Sequence, residues 1–414
     1  LRVHPGRWRA EGGGRVTTDR RLHGMGLGRR AHARWLGSNH YAGSGPPPYL
    51  GQVATRCFMS NEKAGGGLTQ SMNRTRHIAR DAITSCQVVF ANWYGSGEVA
   101  TGASATIKAS VEYPAGTFTQ VLFSGSASGT IPSGSQLVSD AVSVSIPDGA
   151  TFYVRSHFTC ASGFPYNGRT GDTANGDRIA FATSGLADKT MSDPLAANAA
   201  ANFFYSPVAI IAMTTKPAIM CMGDSKCFGY SDIATGTSGD AGELARSIGP
   251  LRAYINAGCS GETTTAYLAQ HTQRAKLYQY CSHFVSQYGV NDIFGGFAAA
   301  TTYANLATIR ALVSTKPFYQ GTISPQSTST DAWATTVNQT TKAQNPARVT
   351  LNGLIRANSN GFNGWFEIAD VVETARDSGI WLAPGYTPDG VHETNTANLA
   401  IQASGNIDPT IFVR

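Results

Sequence analysis

Charge is scarce in this sequence. Asp, Glu, Lys and Arg make up 14% of its 414 residues, against roughly 25% in an average soluble domain. The charge present is unevenly spread. Residues 1–35 hold nine Arg, one Asp and one Glu, so this stretch carries +7 while the whole chain carries +6. The rest is close to neutral and lacks the basic stripe that a nucleic-acid-binding body needs, so no nucleic-acid partner is expected. Long apolar runs are also missing. The longest compact ones, such as residues 208–213, have the length of a strand and fall far short of the ~20 residues of a membrane-crossing helix. No membrane span is expected. Cysteine is sparse: seven residues, an odd number, with no C-x-x-C pair. That excludes a dense disulfide scaffold and argues against a structural zinc site. Cys86 and Cys160 are the pair that a bridge within the first folded domain would use, although spacing alone does not supply the geometry. Hydrophobic residues at 42% are enough to bury a sizeable core.

The first 58 residues differ from the rest. Arg, Gly and His are dense up to Trp35, and a Gly/Pro-rich stretch follows at 43–48. An Arg-rich, acid-poor leader has the composition of an organellar transit peptide. The pairs Arg20-Arg21 and Arg29-Arg30 are the dipeptide of a twin-arginine export signal, but no apolar segment follows either. Residues 1–58 are read as a disordered or non-native tail, with structure expected from about Met59 and no role for the tail in function.

From 59 to 215 the hydrophobic pattern has period two. Ile107, Ala109 and Val111 alternate with Thr106, Lys108 and Ser110. Similar alternation runs through 117–123, 138–146 and 151–158, with Gly, Pro, Asp and Ser clustered between. Short alternating strands separated by turn signals predict an all-β sandwich or jelly roll. Residues 161–201, rich in Gly, Asn, Asp and Ala, are expected as a long loop excursion on it. From 216 to 414 the period changes. Tyr303, Leu306, Ile309 and Leu312 recur every three residues and predict a helix over 298–314. A second helix is expected over 262–280. Apolar strands are expected at 218–222, 252–255, 283–288 and 318–323. Alternation of this kind implies a mainly parallel sheet covered by helices on both faces.

Four short segments in this second half carry candidate chemistry. Gly223-Asp224-Ser225 sits where an apolar strand gives way to a turn, at the sheet edge where ligand crevices form. Asp389-Gly390-Val391-His392 lies in a loop marked by Pro384 and Pro388. Its carboxylate, three residues before the histidine, can accept from one ring nitrogen and leave the other free to take a proton from a serine. Asn256-Ala257-Gly258-Cys259-Ser260-Gly261 leads into a helix and exposes backbone N–H groups there. Tyr288-Gly289-Val290-Asn291-Asp292 places an asparagine amide at the same edge. Each alone reads more simply as a capped turn or a surface histidine.

Taken in order, the four segments resemble the blocks of the SGNH (GDSL) hydrolase superfamily, over about half of the chain. The resemblance implies a C-terminal flavodoxin-like three-layer α/β/α domain and a serine esterase. Ser225 would be the nucleophile, with Asp389 and His392 as its partners. The Ser225 and Gly258 N–H groups and the Asn291 amide would be the oxyanion donors. Asp224 and Asp292 would hold their loops, and no metal or organic cofactor is required. The chain departs from the family at Lys226, where an aliphatic residue is usual; this side chain is expected to point into solvent. Cys227 beside the serine and Cys259 after the block glycine are further departures. Within the family an N-terminal β-sandwich often accompanies polysaccharide deacetylation. The low charge and abundant Tyr, Trp, Asn and Ser also suit sugar contact. The expected substrate is therefore an acetylated carbohydrate. A short-chain carboxylesterase acting on small-molecule or synthetic esters is the alternative, and a catalytically dead binding module the third reading. A polysaccharide substrate implies export to a secreted or periplasmic location. No signal peptide is readable, which leaves a cytoplasmic one open.

Overall fold

The computed structural model describes residues 45–168, 171–195, 203–232 and 239–414. Residues 45–414 form one compact unit. Its first half is built on two antiparallel sheets. One runs in the order Tyr49–Gln52, Ala209–Thr214, Ile83–Ala91, Gln136–Val138, with Val142–Ile146 also paired to Ile83–Ala91. The other runs Gly129–Ile131, Ala105–Glu112, Thr151–Cys160, Gln70–Ile78, Arg178–Ala182. The period-two pattern explains how they pack. Ile107, Val111, Phe152, Val154 and Phe158 from one sheet meet Val88, Phe90 and Ile210 from the other in a single buried core.

The second half is a six-stranded, all-parallel sheet in the order Cys57–Phe58, Ala253–Asn256, Ala218–Met222, His283–Ser286, Phe318–Gly321, Gly364–Phe366. Every residue of Ala218–Met222 is buried, as expected of a strand covered on both faces. Met220 and Met222 pack with Tyr267, Leu306, Ile309, Leu351 and Ile355. Ile219 and Cys221 pack on the opposite side with Leu244, Ile248, Val372, Ala397 and Ile401. The Met220 core also takes in Val89, Ala91, Trp93 and Ile211 of the antiparallel half. The two halves thus share one apolar cluster across the change of sheet near residue 215.

Several expectations need correction. Those for residues 1–44 fall outside the described residues, but 45–58 are not tail. Tyr49–Gln52 pairs with residues 211–214, and Cys57–Phe58 adds an edge strand to the parallel sheet. Arg56 forms a buried ion pair with Asp177 at 2.7 Å. The strands here are too short to show periodicity, and their burial comes from two sheets at once. The segment 161–201 is not one loop, since Pro165–Tyr166 pairs with Glu62–Lys63 and Arg178–Ala182 closes the edge of the second antiparallel sheet. The helix expected over 262–280 is broken into Thr264–Ala269, Thr272–Ala275 and a short turn at Tyr278–Tyr280. The break has a cause: the Gln273 and Arg274 N–H groups donate to the buried Glu98 carboxylate at 2.7 and 2.8 Å. All seven cysteines are free and buried, Cys86 and Cys160 included.

A truncation pair tests the corrected boundary. A chain starting at Met59 is expected to be at least about 3 kcal/mol less stable than one starting at Gly45, because it leaves Asp177 buried without Arg56. Equal urea midpoints for the two would show that residues 45–58 add nothing to the fold.

Candidate active site

The parallel sheet reverses its direction of growth at Ala218–Met222. The chain moves from this strand to Ala253–Asn256 on one side, then returns to His283–Ser286 on the other. Loops leaving the carboxyl ends of these strands diverge there and open a crevice. Three of the four candidate segments lie on those loops.

Gly223 and Asp224 follow the central strand. The Asp224 carboxylate caps the short helix Ser225–Phe228 by accepting from the Lys226 N–H at 3.0 Å. Ser225 is the first residue of that helix, so its N–H has no intrahelical acceptor. Its Oγ lies 2.9 Å from His392 Nε2. His392 Nδ1 lies 2.7 Å from Asp389 Oδ2. The other Asp389 oxygen accepts from the Val391 and His392 N–H groups at 2.9 and 2.8 Å. Burial pushes the Asp389 carboxyl up. Its bonds from the His392 ring and from the two backbone N–H groups outweigh that and hold it far below the usual carboxylate range. The carboxylate stays ionised and fixes the ring with Nε2 toward the serine.

The Asp389–His392 turn is held from several sides. Gly390 adopts φ +76°, and a Cβ there would come within 2.1 Å of the Ser327 carbonyl oxygen. The Gly390 carbonyl accepts from Ser327 N–H and Trp381 Nε1, both at 3.0 Å. Glycine is therefore required both by the backbone angle and by the close approach.

Gly258 follows the strand Ala253–Asn256. A Cβ on it would meet the Phe228 nitrogen at 2.6 Å, so the loop can press against the Ser225 helix only with glycine here. Cys259 N–H donates to the Gly223 carbonyl at 2.9 Å, joining the two loops. The Gly258 N–H itself donates to Asn256 Oδ1 at 3.0 Å. Donation to a developing oxyanion would therefore have to share or replace that bond. Asn291 sits in the helix Val290–Phe294, with one amide hydrogen on the Glu262 carbonyl at 3.2 Å and a second left for a ligand. Asp292 beside it is buried and accepts from Thr264 N–H at 3.0 Å, tying this helix to the start of Thr264–Ala269.

Lys226 does not point into solvent. Its side chain is fully buried, and its ammonium lies 2.7 Å from Glu393 Oε1 and also donates to Ser324 Oγ and the Val391 carbonyl. A residue beside the serine is thus bonded to both neighbours of His392. Asp224, Glu243 and Glu393 surround this cation and are themselves buried. Burial pushes Asp224 up, and Glu393 and Asp292 push the same way against the pull of Lys226, leaving it at about 7. Burial and the Glu393 charge likewise hold Glu243 well above the carboxylate range. Burial acts on Glu393 in the same direction, but Lys226 and the hydrogen bond from Glu243 outweigh it and hold Glu393 below its ordinary value. Sequence inspection flagged Lys226 as unusual but not its partners, which are contributed by residues far apart in the chain.

Sequence reasoning also missed Tyr230, whose half-exposed ring lies 4.5 Å from the His392 ring centroid. Nothing in its spacing marks it. Among the described residues no group of three or more His, Cys, Asp or Glu side chains is placed to hold a metal ion, and no helix is long and apolar enough to cross a membrane. The arrangement of Ser225, His392 and Asp389 can pass a hydroxyl proton to an imidazole oriented by a carboxylate, beside N–H groups able to receive negative charge.

No protein-family model and no curated protein matches the chain. Solved structures do. A GDSL-like lipase from Bacteroides thetaiotaomicron is 18% identical, with 47% of this chain and 89% of that one covered at a TM-score of 0.35. A carbohydrate acetylesterase from Sinorhizobium meliloti is 17% identical, with 48% and 100% covered at a TM-score of 0.35. The native aryl esterase of M. smegmatis is 16% identical, with 46% and 96% covered at a TM-score of 0.33. Over about half its length, this chain is similar to solved structures of GDSL-type lipases and esterases.

Proposed function

We propose that the protein is a serine ester hydrolase of the SGNH type, acting on O-acetylated carbohydrate. The observation that carries the first part is the Asp389–His392–Ser225 relay, with contacts of 2.7 and 2.9 Å. His392 Nε2 takes the Ser225 proton as Oγ attacks an ester carbonyl. The tetrahedral oxyanion is received by the Ser225 N–H and the Asn291 amide, with Gly258 N–H joining them as its bond to Asn256 yields. Donors of this kind contribute roughly 2.7–4 kcal/mol each. His392 then protonates the departing alcohol, and water repeats the sequence to release the acid. Asp224 and Asp292 hold the loops that carry Ser225 and Asn291.

The finer reading of the fold fits this proposal. Leaving aside the edge strand Cys57–Phe58, the parallel strands run second, first, third, fourth, fifth in chain order, the flavodoxin-like order. Helices on both faces make three layers. The two antiparallel sheets sharing one core are read as the β-sandwich. The substrate proposal rests on the low charge of the chain and on an aromatic ring, Tyr230, beside His392. A polysaccharide substrate would place the enzyme outside the cytoplasm.

Acetate release from acetylated xylan, compared with turnover of p-nitrophenyl esters of rising chain length, tests the substrate. Acetyl is expected to be the preferred acyl group. A preference for long acyl chains would overturn the carbohydrate reading in favour of a carboxylesterase or lipase-type enzyme.

A further inference from the structure

The segment 57–61 belongs to the first half of the chain, yet it runs beside the loop that carries Gly258. Cys57 and Phe58 pair with Ile255 and Asn256. Met59 N–H then donates to the Asn256 carbonyl at 3.1 Å. Where the strand Ala253–Asn256 ends, backbone pairing stops and a side chain takes over. Asn61 Oδ1 accepts from the Ser260 N–H at 2.7 Å, and Asn61 Nδ2 donates to the Gly258 carbonyl at a longer 3.4 Å. One side chain therefore grips the loop on both sides of Cys259. Asn61 is itself held by the antiparallel half, since its N–H donates to the Tyr166 carbonyl at 2.9 Å.

A second fastening lies deeper. Glu98, in the turn between the strands Trp93–Tyr94 and Val99–Ala100, accepts from Arg274 Nε at 3.2 Å as well as from two backbone N–H groups. Arg274 grips Glu262 with two bonds of 2.6 and 2.9 Å. The Glu262 carbonyl is the acceptor that orients Asn291. Both flanking elements of the oxyanion site are thus tied to the antiparallel half.

We propose that Asn61 is a positioning residue for catalysis, through which the antiparallel half sets the Gly258–Ser260 peptides that border the oxyanion site. The proposal rests on the hydrolase reading above. A peptide gripped at its carbonyl cannot rotate freely, so the grip on the Gly258 carbonyl limits rotation about the Gly258 backbone and thereby restrains the adjoining Gly258 N–H before the charge develops. Such preorganisation acts on the transition state and not on substrate affinity.

Asn61→Ala is expected to lower kcat for p-nitrophenyl acetate by about 10- to 100-fold, the scale of a small misplacement in a catalytic site. KM is expected to stay within about twofold, since ground-state binding is untouched. The affinity of phenylboronic acid, whose adduct on a serine is tetrahedral and anionic, should fall in parallel with kcat, while product inhibition by acetate is unchanged. A purely structural role would not divide the effects this way. Asn61→Ser, which retains a short polar group, should lie between wild type and alanine; should the alanine variant not fold, an unchanged kcat in Asn61→Ser overturns the proposal. Ser225→Ala is assayed alongside. Its retained activity would overturn the hydrolase reading and this inference with it. A dead Ser225→Ala beside an unaltered kcat in Asn61→Ala, or an equal change in KM and boronate affinity without loss of kcat, would overturn the positioning role alone.

Discussion

Replacing Ser225 with alanine is expected to remove the proposed ester hydrolysis and to leave the folded protein intact. The loss expected in kcat is roughly four to six orders of magnitude, the range found when the nucleophile of such a relay is deleted. The alanine cannot form the proposed acyl-enzyme, so only background hydrolysis by water, assisted by the proposed oxyanion donors, should be left. The fold should tolerate the change because the Ser225 hydroxyl bonds only to His392 among the described contacts. The helix start depends on Asp224, whose carboxylate keeps its bond to Lys226 N–H. The check is turnover of p-nitrophenyl acetate together with a thermal melt. Wild-type turnover in a normally folded variant would sink the assignment of Ser225.

What the sequence made readable follows from how local each feature is. The alternation of Ile107, Ala109 and Val111 records one buried face of one strand and predicts it directly. The run at 218–222 is apolar throughout because both of its faces are covered. The four candidate segments are legible because each is a contiguous turn, with glycines demanded at 258 and 390 by close backbone approach. The Asp389–His392 contact is made between residues three apart, so spacing alone suggested it.

Other features are not local and left no periodic trace. Cys57–Phe58 is two residues long and becomes a strand only because Ile255 and Asn256 lie beside it. The helix Asn345–Ala357 was missed although Pro346 stands at its start, and Asn395–Ser404 although Thr394 caps it through Ala397 N–H. Polar residues interrupt each buried face: Arg348 and Asn352 sit with Leu351 and Ile355 in the first, and Asn398 with Ala397 and Ile401 in the second. The expected helix over 262–280 failed for the opposite reason. Its pattern was adequate, but a buried carboxylate from residue 98 competes for the N–H groups of Gln273 and Arg274. Tertiary contacts decided the outcome there.

The buried cluster around Lys226 shows how far such contacts reach, and it yields the second large effect. Lys226→Met keeps much of the side-chain volume but removes the cation between Glu393, Glu243 and Asp224. Breaking a buried ion pair at one partner typically costs about 3–5 kcal/mol, because the remaining charge has lost its compensation. The cost should depend on pH in a definite direction. In the wild type Glu393 is held below its ordinary value, so its stabilising contribution is present above the unfolded-state value near ~4.3 and is lost as pH falls through the lower folded one. Asp224, raised to about 7, behaves oppositely: its contribution is full below the unfolded-state value near ~3.9 and is lost as pH rises through about 7. Glu243, also raised, follows Asp224. Without Lys226, Glu393 loses the partner that holds it down and joins this second class, because protonation is then the cheapest way to bury it. The penalty of Lys226→Met should therefore be largest near pH 8 and shrink toward pH 5, as read from urea unfolding at both values. A penalty below about 1 kcal/mol, the level of an exposed ion pair, or one equal at both pH values, would contradict a buried cation compensating these carboxylates. The same substitution removes the bond from Nζ to the Val391 carbonyl. Activity should accordingly fall even at pH 5, where the fold is least affected, because His392 loses a constraint on the turn that aims it at Ser225.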